Sequence, residues 1–232
     1  MLYCSLRAKI IMKEIIFVDY KMLNSKDNSS LENELNKLLA SGVDEILVKP
    51  VFMTDGFEVK KLREQVSFFE GHFRKIEFGI PVLGNSESIN AFAEILIHEI
   101  GFNSEYEYLL VGHGRKGNDN KEYSKLSDVL HSKGFSNVEV ACLTGEGDIY
   151  SYLKKVQKIS RAEYAGRENK AVQVYPLMIH AGHHVTKDIV EFVQLLNDNG
   201  LQAINNCVPL CSFESFKARY MNDSKNQFPN KS

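Results

Sequence analysis

The chain has 232 residues, enough for one large domain or two small lobes with a substantial buried core. Apolar residues make up 44% and charged residues 25%, and the net charge of −2 gives no bulk attraction to nucleic acid or to a membrane surface. No window approaches the ~18 consecutive apolar residues of a bilayer span.

At the N-terminus, MLYCSLRAKIIM is broken by Arg7 and Lys9 and is followed by no small-residue cleavage site. It reads as an extension, with the folded unit expected to start near Met12 and a cytoplasmic location as the expectation. Strand-like runs then alternate with helical periods through the whole chain, which predicts an α/β fold with parallel sheets. The expected strands are 14–18, 45–52, 75–82, 106–111, 138–143, 171–179 and 202–208; several are nearly continuous apolar runs, as strands covered on both faces require. Between them, Leu31, Leu35, Leu38 and Leu39 form a helical face ended by Gly42, and Val59, Leu62, Val66 and Phe69 form one ended by Gly71. Ile89, Phe92, Ala93, Leu96 and Ile100 form a third, capped by Ser86 or Ser88 and stopped by Gly101. Val185, Ile189, Phe192, Val193 and Leu196 make a stripe ending at Gly200, and the polar tail 223–232, like residues 1–11, is expected to be flexible.

An internal repeat organises these elements. KPVFMTDGFEVKKL (49–62) and YPLMIHAGHHVTKD (175–188) share one grammar: a β-run, a proline, five residues, then a glycine that opens an amphipathic helix. Pro50 aligns with Pro176, Gly56 with Gly182, Val59 with Val185, and Glu58 falls on His184. The repeat predicts two similar lobes, 12–101 and 102–222, each a parallel sheet flanked by helices and each delivering a loop from a strand's carboxyl end.

Candidate chemistry sits at three such strand ends. His113 stands between Gly112 and Gly114, straight after an apolar run; glycines on both sides permit a tight turn and an exposed imidazole. MIHAGHHV gathers His180, His183 and His184 around Gly182, and TDGFEV offers Asp55 and Glu58. Two imidazoles and a carboxylate from three loops suit a divalent first-row metal and leave coordination positions open for an ion that must be handed on. Taken singly, each has a structural explanation: a histidine after a strand is more often a hydrogen-bonded structural residue, and Glu58 in a first helical turn favours the dipole. His72, His98 and His131 fall near helix ends, where a cation is favoured. Cys4, Cys142, Cys207 and Cys211 fit neither a zinc ribbon nor a disulfide framework and read as reduced thiols.

LLVGHG (109–114) with Asn120 and Tyr123, the TGEG turn (144–147) and PLMIHAGHHVTKDI (176–189) resemble the class II chelatases, and specifically the anaerobic-type sirohydrochlorin cobaltochelatases. LLASGVDEILVKPVFMTDGFEVKKL (38–62) is similar to the family's first-lobe segment running into Gly-x-Glu. The resemblance implies a two-lobed α/β enzyme that inserts Co²⁺, or alternatively Ni²⁺ or Fe²⁺, into sirohydrochlorin or a related tetrapyrrole of cobalamin biosynthesis. It implies metal binding by His113 and His184, completed by Glu58 or Glu146, with His113, His184 and Glu58 as the catalytic set. His183, Arg115, Gly112, Gly114 and Gly182 then fall on the substrate, and Lys116, Lys60 and Lys187 stand near enough in sequence to add basic charge for a polycarboxylate.

A tetrapyrrole is the expected partner, nucleic acid and membrane are not, and a homo-oligomer is compatible with the chain. The divalent metal enters as substrate; nothing resembles a phosphate-binding glycine loop, so no nucleotide cofactor is expected. The chain departs from the family pattern at FVDYKML (17–23), where a Gly-Thr-Ser-type turn is usual, and in a shortened stretch between that strand and the Leu31 helix. His183 replaces an aspartate and Arg115 a threonine. These departures keep a second reading open, a non-catalytic metal- or tetrapyrrole-binding relative on the same scaffold. A third, a two-lobed periplasmic-type receptor, is disfavoured by the absence of an export signal.

Overall fold

The structure, a computed structural model, describes residues 11–115, 117, 120–145, 148–158, 170–180, 182 and 184–221, without the side chains of 155–158, 184 and 185. The chain divides into two compact units, one running up to Pro81 and the other Val82–Met221.

The first unit contains β1 (Lys13–Val18), α1 (Tyr20–Asn24), α2 (Leu31–Ala40), β2 (Glu45–Pro50), α3 (Phe57–Ser67) and β3 (Lys75–Phe78). Its sheet is wholly parallel, in the order β1-β2-β3. The central strand β2 is buried along nearly its whole length, which is why its sequence is an apolar run rather than an alternation. Val18, Ile46 and Val48 of the sheet pack with Leu35 of α2 and Val59 and Leu62 of α3 in one closed core. Glu45, almost fully buried at the start of β2, is neutralised by Lys13 (2.9 Å) and Arg74.

The second unit contains α4 (Ser86–Ile100), β4 (Glu107–Gly114), α5 (Lys121–Ser132), β5 (Val138–Thr144), α6 (Ile149–Lys158) and β6 (Val172–Leu177). A π-helical turn (His184–Asp188) then leads into α7 (Ile189–Asp198), followed by β7 (Ala203–Asn205) and α8 (Glu214–Tyr220). Its parallel sheet has the order β5-β4-β6-β7. The cap of α4 is Asn85, not Ser86 or Ser88: Asn85 Oδ1 accepts from Ser88 N (2.8 Å) and Ser88 Oγ accepts from Asn85 N (3.0 Å), a reciprocal capping box. Gly101 ends the helix in the left-handed conformation, φ 66°.

The division falls at Pro81/Val82 instead of the expected 101/102 because α4 is tied to the elements that follow it. Phe92 packs edge-on against Phe216 of α8 with centroids 6.1 Å apart, and Lys133 of α5 meets Glu94 at 2.6 Å. Ser215 N donates to Glu99 Oε1 (2.7 Å), and the hydrogen bonds from Ser215 hold the Glu99 carboxyl below its ordinary pKa. The tail 222–232 lies outside the described residues.

The two sheets repeat each other in register. Pro50 stands opposite Val18 of β1, and Pro176 stands opposite Val111 of β4. Past the third strand, Gly79 N donates to Val48 O (2.8 Å) and Asn206 N to Val174 O (2.9 Å). After the repeated loop, Lys60 N donates to Gly56 O and Thr186 N to Gly182 O, each at 3.1 Å. Thus β1-β2-β3 matches β4-β6-β7 strand for strand, and β5 has no counterpart among the described residues. This is the shortened first lobe.

Candidate functional site

Three motif-bearing segments leave one edge of the second unit's sheet from adjoining strands. Gly112 of β4 stands opposite Cys142 of β5 on one side and Leu177 of β6 on the other. The carboxyl ends of these strands therefore bring GHG, the turn beginning Thr144-Gly145 and the loop holding His180 and Gly182 to the same edge, where open α/β sheets bind ligands.

The GHG turn rests on a fitted support. A Cβ at Gly112 would lie 2.3 Å from the Tyr123 ring, so only glycine fits above it. Gly114 has φ +70°, and a Cβ there would lie 2.2 Å from Thr144 O. Asn120 is 2% exposed and adopts a left-handed conformation, φ 48°. Its Oδ1 accepts from Arg115 N (3.0 Å) and its Nδ2 donates to Thr144 O (2.8 Å), while Thr144 Oγ1 donates to His113 O (3.2 Å). One amide thus joins the exit of β4 to the end of β5. Asparagine is among the few residues with a side chain that enter this conformation readily, which is the signal for its role in GNDN ahead of α5.

His113 is exposed, and its Nδ1 lies 2.9 Å from Gly114 O. A carbonyl only accepts, so Nδ1 carries the proton and Nε2 of the neutral ring carries the lone pair, the arrangement a metal ligand needs. The layer beneath is uncharged. Burial pushes the Tyr123 hydroxyl far above its usual range, reinforced by Cys142 and Glu122 and opposed by Arg115 and a backbone hydrogen bond to Gly114. Burial, with the charge of Glu122, pushes the Cys142 thiol up to about 12. Arg115 is paired with Glu122 at 2.8 Å, so its charge is already engaged inside the unit.

The remaining expected residues are placed as follows. Glu58 is half-buried in the first turn of α3, and Asp55 is exposed before it, 3.8 Å from Arg63. His180, Gly182, Lys60 and Lys187 are exposed. The backbone of His184 opens the π-helical turn. Lys116, Glu146, His183 and the side chain of His184 lie outside the described residues. Among the described residues no group of three or more His, Cys, Asp or Glu side chains is close enough to hold a metal ion. His131 has a structural task beyond the helix end: its Nε2 is 2.8 Å from Val138 O. No helix among the described residues is long and apolar enough to cross a membrane.

Parallel α/β sheets with a histidine-bearing strand end at the carboxyl edge make up the candidate site. The fold is shared with SirB from Bacillus subtilis, solved with Fe³⁺, at a TM-score of 0.58 and 14% identity over 84% of this chain and 86% of that one. No curated protein matches the chain. The chain belongs to the cobalt chelatase (CbiK) family, whose model matches residues 13–228. It is accordingly a tetrapyrrole metal chelatase, with a divalent metal as substrate.

Proposed function

We propose that this chelatase inserts Co²⁺ into sirohydrochlorin or a close tetrapyrrole relative, as a cytoplasmic enzyme of cobalamin biosynthesis that needs no nucleotide. The observation that carries the reading is His113: an exposed imidazole, held with Nε2 as lone-pair donor on a Gly-His-Gly turn that tolerates no other residue at either glycine, in a chain of the cobalt chelatase family.

In this reading His113 and His184 hold the ion and Glu58 or Glu146 offsets its charge. Insertion releases two pyrrole protons and the metal's previous ligands. An imidazole that gives up the ion becomes basic and takes up a proton near neutral pH, so His113, His184 or the adjacent His183 removes the pyrrole protons as the ion passes to the macrocycle nitrogens. Gly182 leaves the backbone bare where a flat ligand approaches, while Gly112 and Gly114 seat the turn beside that ligand against Tyr123 and Thr144. Arg115, paired with Glu122 at 2.8 Å through one of its five donors, offers the others to a substrate carboxylate. The imidazole and carboxylate set accepts Ni²⁺ and Fe²⁺ as well, with affinity following the general metal series.

Absorption spectroscopy of sirohydrochlorin mixed with Co²⁺ tests the reading. The protein should accelerate the spectral change over the uncatalysed rate, and His184→Ala should abolish the acceleration. Stoichiometric tetrapyrrole or metal binding with no acceleration would instead identify a carrier on the same scaffold.

A further inference from the structure

The start of α5 supports more than the GHG turn. Asn120 and Tyr123 bear on the histidine motif, through Thr144 O and against Gly112, while Glu122 between them holds a different residue, Arg115. Arg115 leaves the same turn two residues after His113 and is fixed at both ends. Its backbone N donates to Asn120 Oδ1 (3.0 Å), and its Nη2 donates to Glu122 Oε1 (2.8 Å). The pair is sheltered but reachable, with 32% of the Arg115 side chain and 28% of that of Glu122 exposed. Its charges are felt in the layer beneath, where Glu122 raises the Tyr123 hydroxyl and Arg115 opposes it. All of these groups belong to the second unit.

A partly exposed ion pair contributes little to folding. What it does supply is order. An arginine side chain is long and loses much rotamer freedom when it engages a ligand, and a guanidinium already held in place avoids that loss. Its planar fork carries five N–H donors in fixed directions and matches a carboxylate with two parallel bonds. The bond from Nη2 to Glu122 sets the plane of that fork. Glu122 thus acts on Arg115 in two opposed ways: its charge weakens the attraction for a second anion, and its hydrogen bond orients the donors. Solvent at the pair screens the first effect and leaves the second intact, so orientation prevails.

We propose that Glu122 is a positioning residue for substrate recognition, orienting the Arg115 guanidinium so that its fork takes a peripheral carboxylate of the tetrapyrrole. The inference deepens the chelatase reading above and rests on it. It also divides one helical turn between two tasks, with Asn120 and Tyr123 serving the metal motif and Glu122 serving the carboxylate.

Steady-state metalation of sirohydrochlorin by Co²⁺, with the full chain, tests this. Arg115→Ala should raise KM for the tetrapyrrole about tenfold or more, the scale of a lost charge-assisted pair, and affect kcat less. Glu122→Ala should raise KM in the same way, by about threefold or more, although it removes a negative charge. Glu122→Gln keeps an acceptor oxygen for the guanidinium and should recover part of that loss. Added to Arg115→Ala, Glu122→Ala should cause no further rise, because it acts only through the arginine. Glu94→Gln, which breaks the surface pair with Lys133, should leave KM unchanged. An unchanged or lowered KM in Glu122→Ala, a Glu122→Gln no better than the alanine variant, or a further rise on the Arg115→Ala background would each overturn the assignment and leave the chelatase reading in place. Should Glu122→Ala fail to fold, Glu122→Ser decides by the same criteria. An unmodified protein that does not metalate sirohydrochlorin would remove both.

Discussion

Two sheets of one chain, matched in register, end in different ways at the same edge. In the first unit β1 stops at Val18, Asp19 accepts from Met22 N at 2.9 Å, and the chain turns directly into α1. In the second, β4 runs on through Gly112 and His113 to Gly114, which stands opposite Thr144 of β5. The difference is β5, which has no equivalent among the described residues of the first unit. A strand carried past its neighbours leaves backbone donors and acceptors unpaired. With β5 alongside, the extension of β4 is hydrogen-bonded and can hold an exposed imidazole in a fixed tautomer. Without such a strand, β1 is an edge whose end is satisfied most simply by a side-chain cap. The histidine site is therefore a property of the fourth strand as much as of the motif.

The comparison can be broken by substitution at the two strand ends. Gly114→Ala should be the most damaging, costing about 3 kcal/mol, because it combines a left-handed backbone with a Cβ driven against Thr144 O. Asn120→Ala should cost about 2 kcal/mol through two lost hydrogen bonds and a disfavoured conformation for alanine. It should also lower metal affinity with His113 itself intact. Asp19→Ala, which removes only a helix cap in the first unit, should cost about 1 kcal/mol and leave Co²⁺ binding unchanged. Chemical denaturation ranks the three; equal costs at Gly114 and Asp19 would remove the distinction between the two ends.

The smallest expected effect lies beneath the GHG turn. The Cys142 thiol titrates at about 12 in the folded chain against an ordinary value near 9.0. Above the ordinary value the unfolded chain loses this proton while the folded chain keeps it, so Cys142 makes stability fall as pH rises from about 9 to about 12. Cys142→Ala should flatten that part of the stability profile. Among the described cysteines, alkylation at pH 8 should reach the exposed Cys207 long before Cys142.

Much of this architecture is legible in the sequence. All seven expected strands are present, with ends displaced by a few residues, because most are apolar runs bounded by turn residues. The repeat was readable because Pro50, Gly56, Pro176 and Gly182 hold equivalent backbone positions, and backbone demands restrict residue choice strongly. The family resemblance carried the fold and the chemistry class. Other features were not legible because they depend on tertiary partners. The five-residue α1 has no apolar period of its own and exists through the Asp19 cap and packing on α3. The membership of α4 in the second unit depends on Phe216 and Ser215, more than a hundred positions away. Glu122 as the partner of Arg115 follows from where α5 begins, not from any pattern around the arginine. Tyr20 and Phe57 look like ordinary core aromatics until their exposure is known.

The most direct test of the metal-site assignment is Co²⁺ binding without tetrapyrrole, read from the visible absorption of the bound ion. His113→Ala and His184→Ala should each weaken binding by an order of magnitude or more, and one of Glu58→Gln and Glu146→Gln should do so by less, while Asp19→Ala leaves it unchanged. A His113→Ala/His184→Ala double variant that holds Co²⁺ as tightly as the unmodified chain would contradict the account.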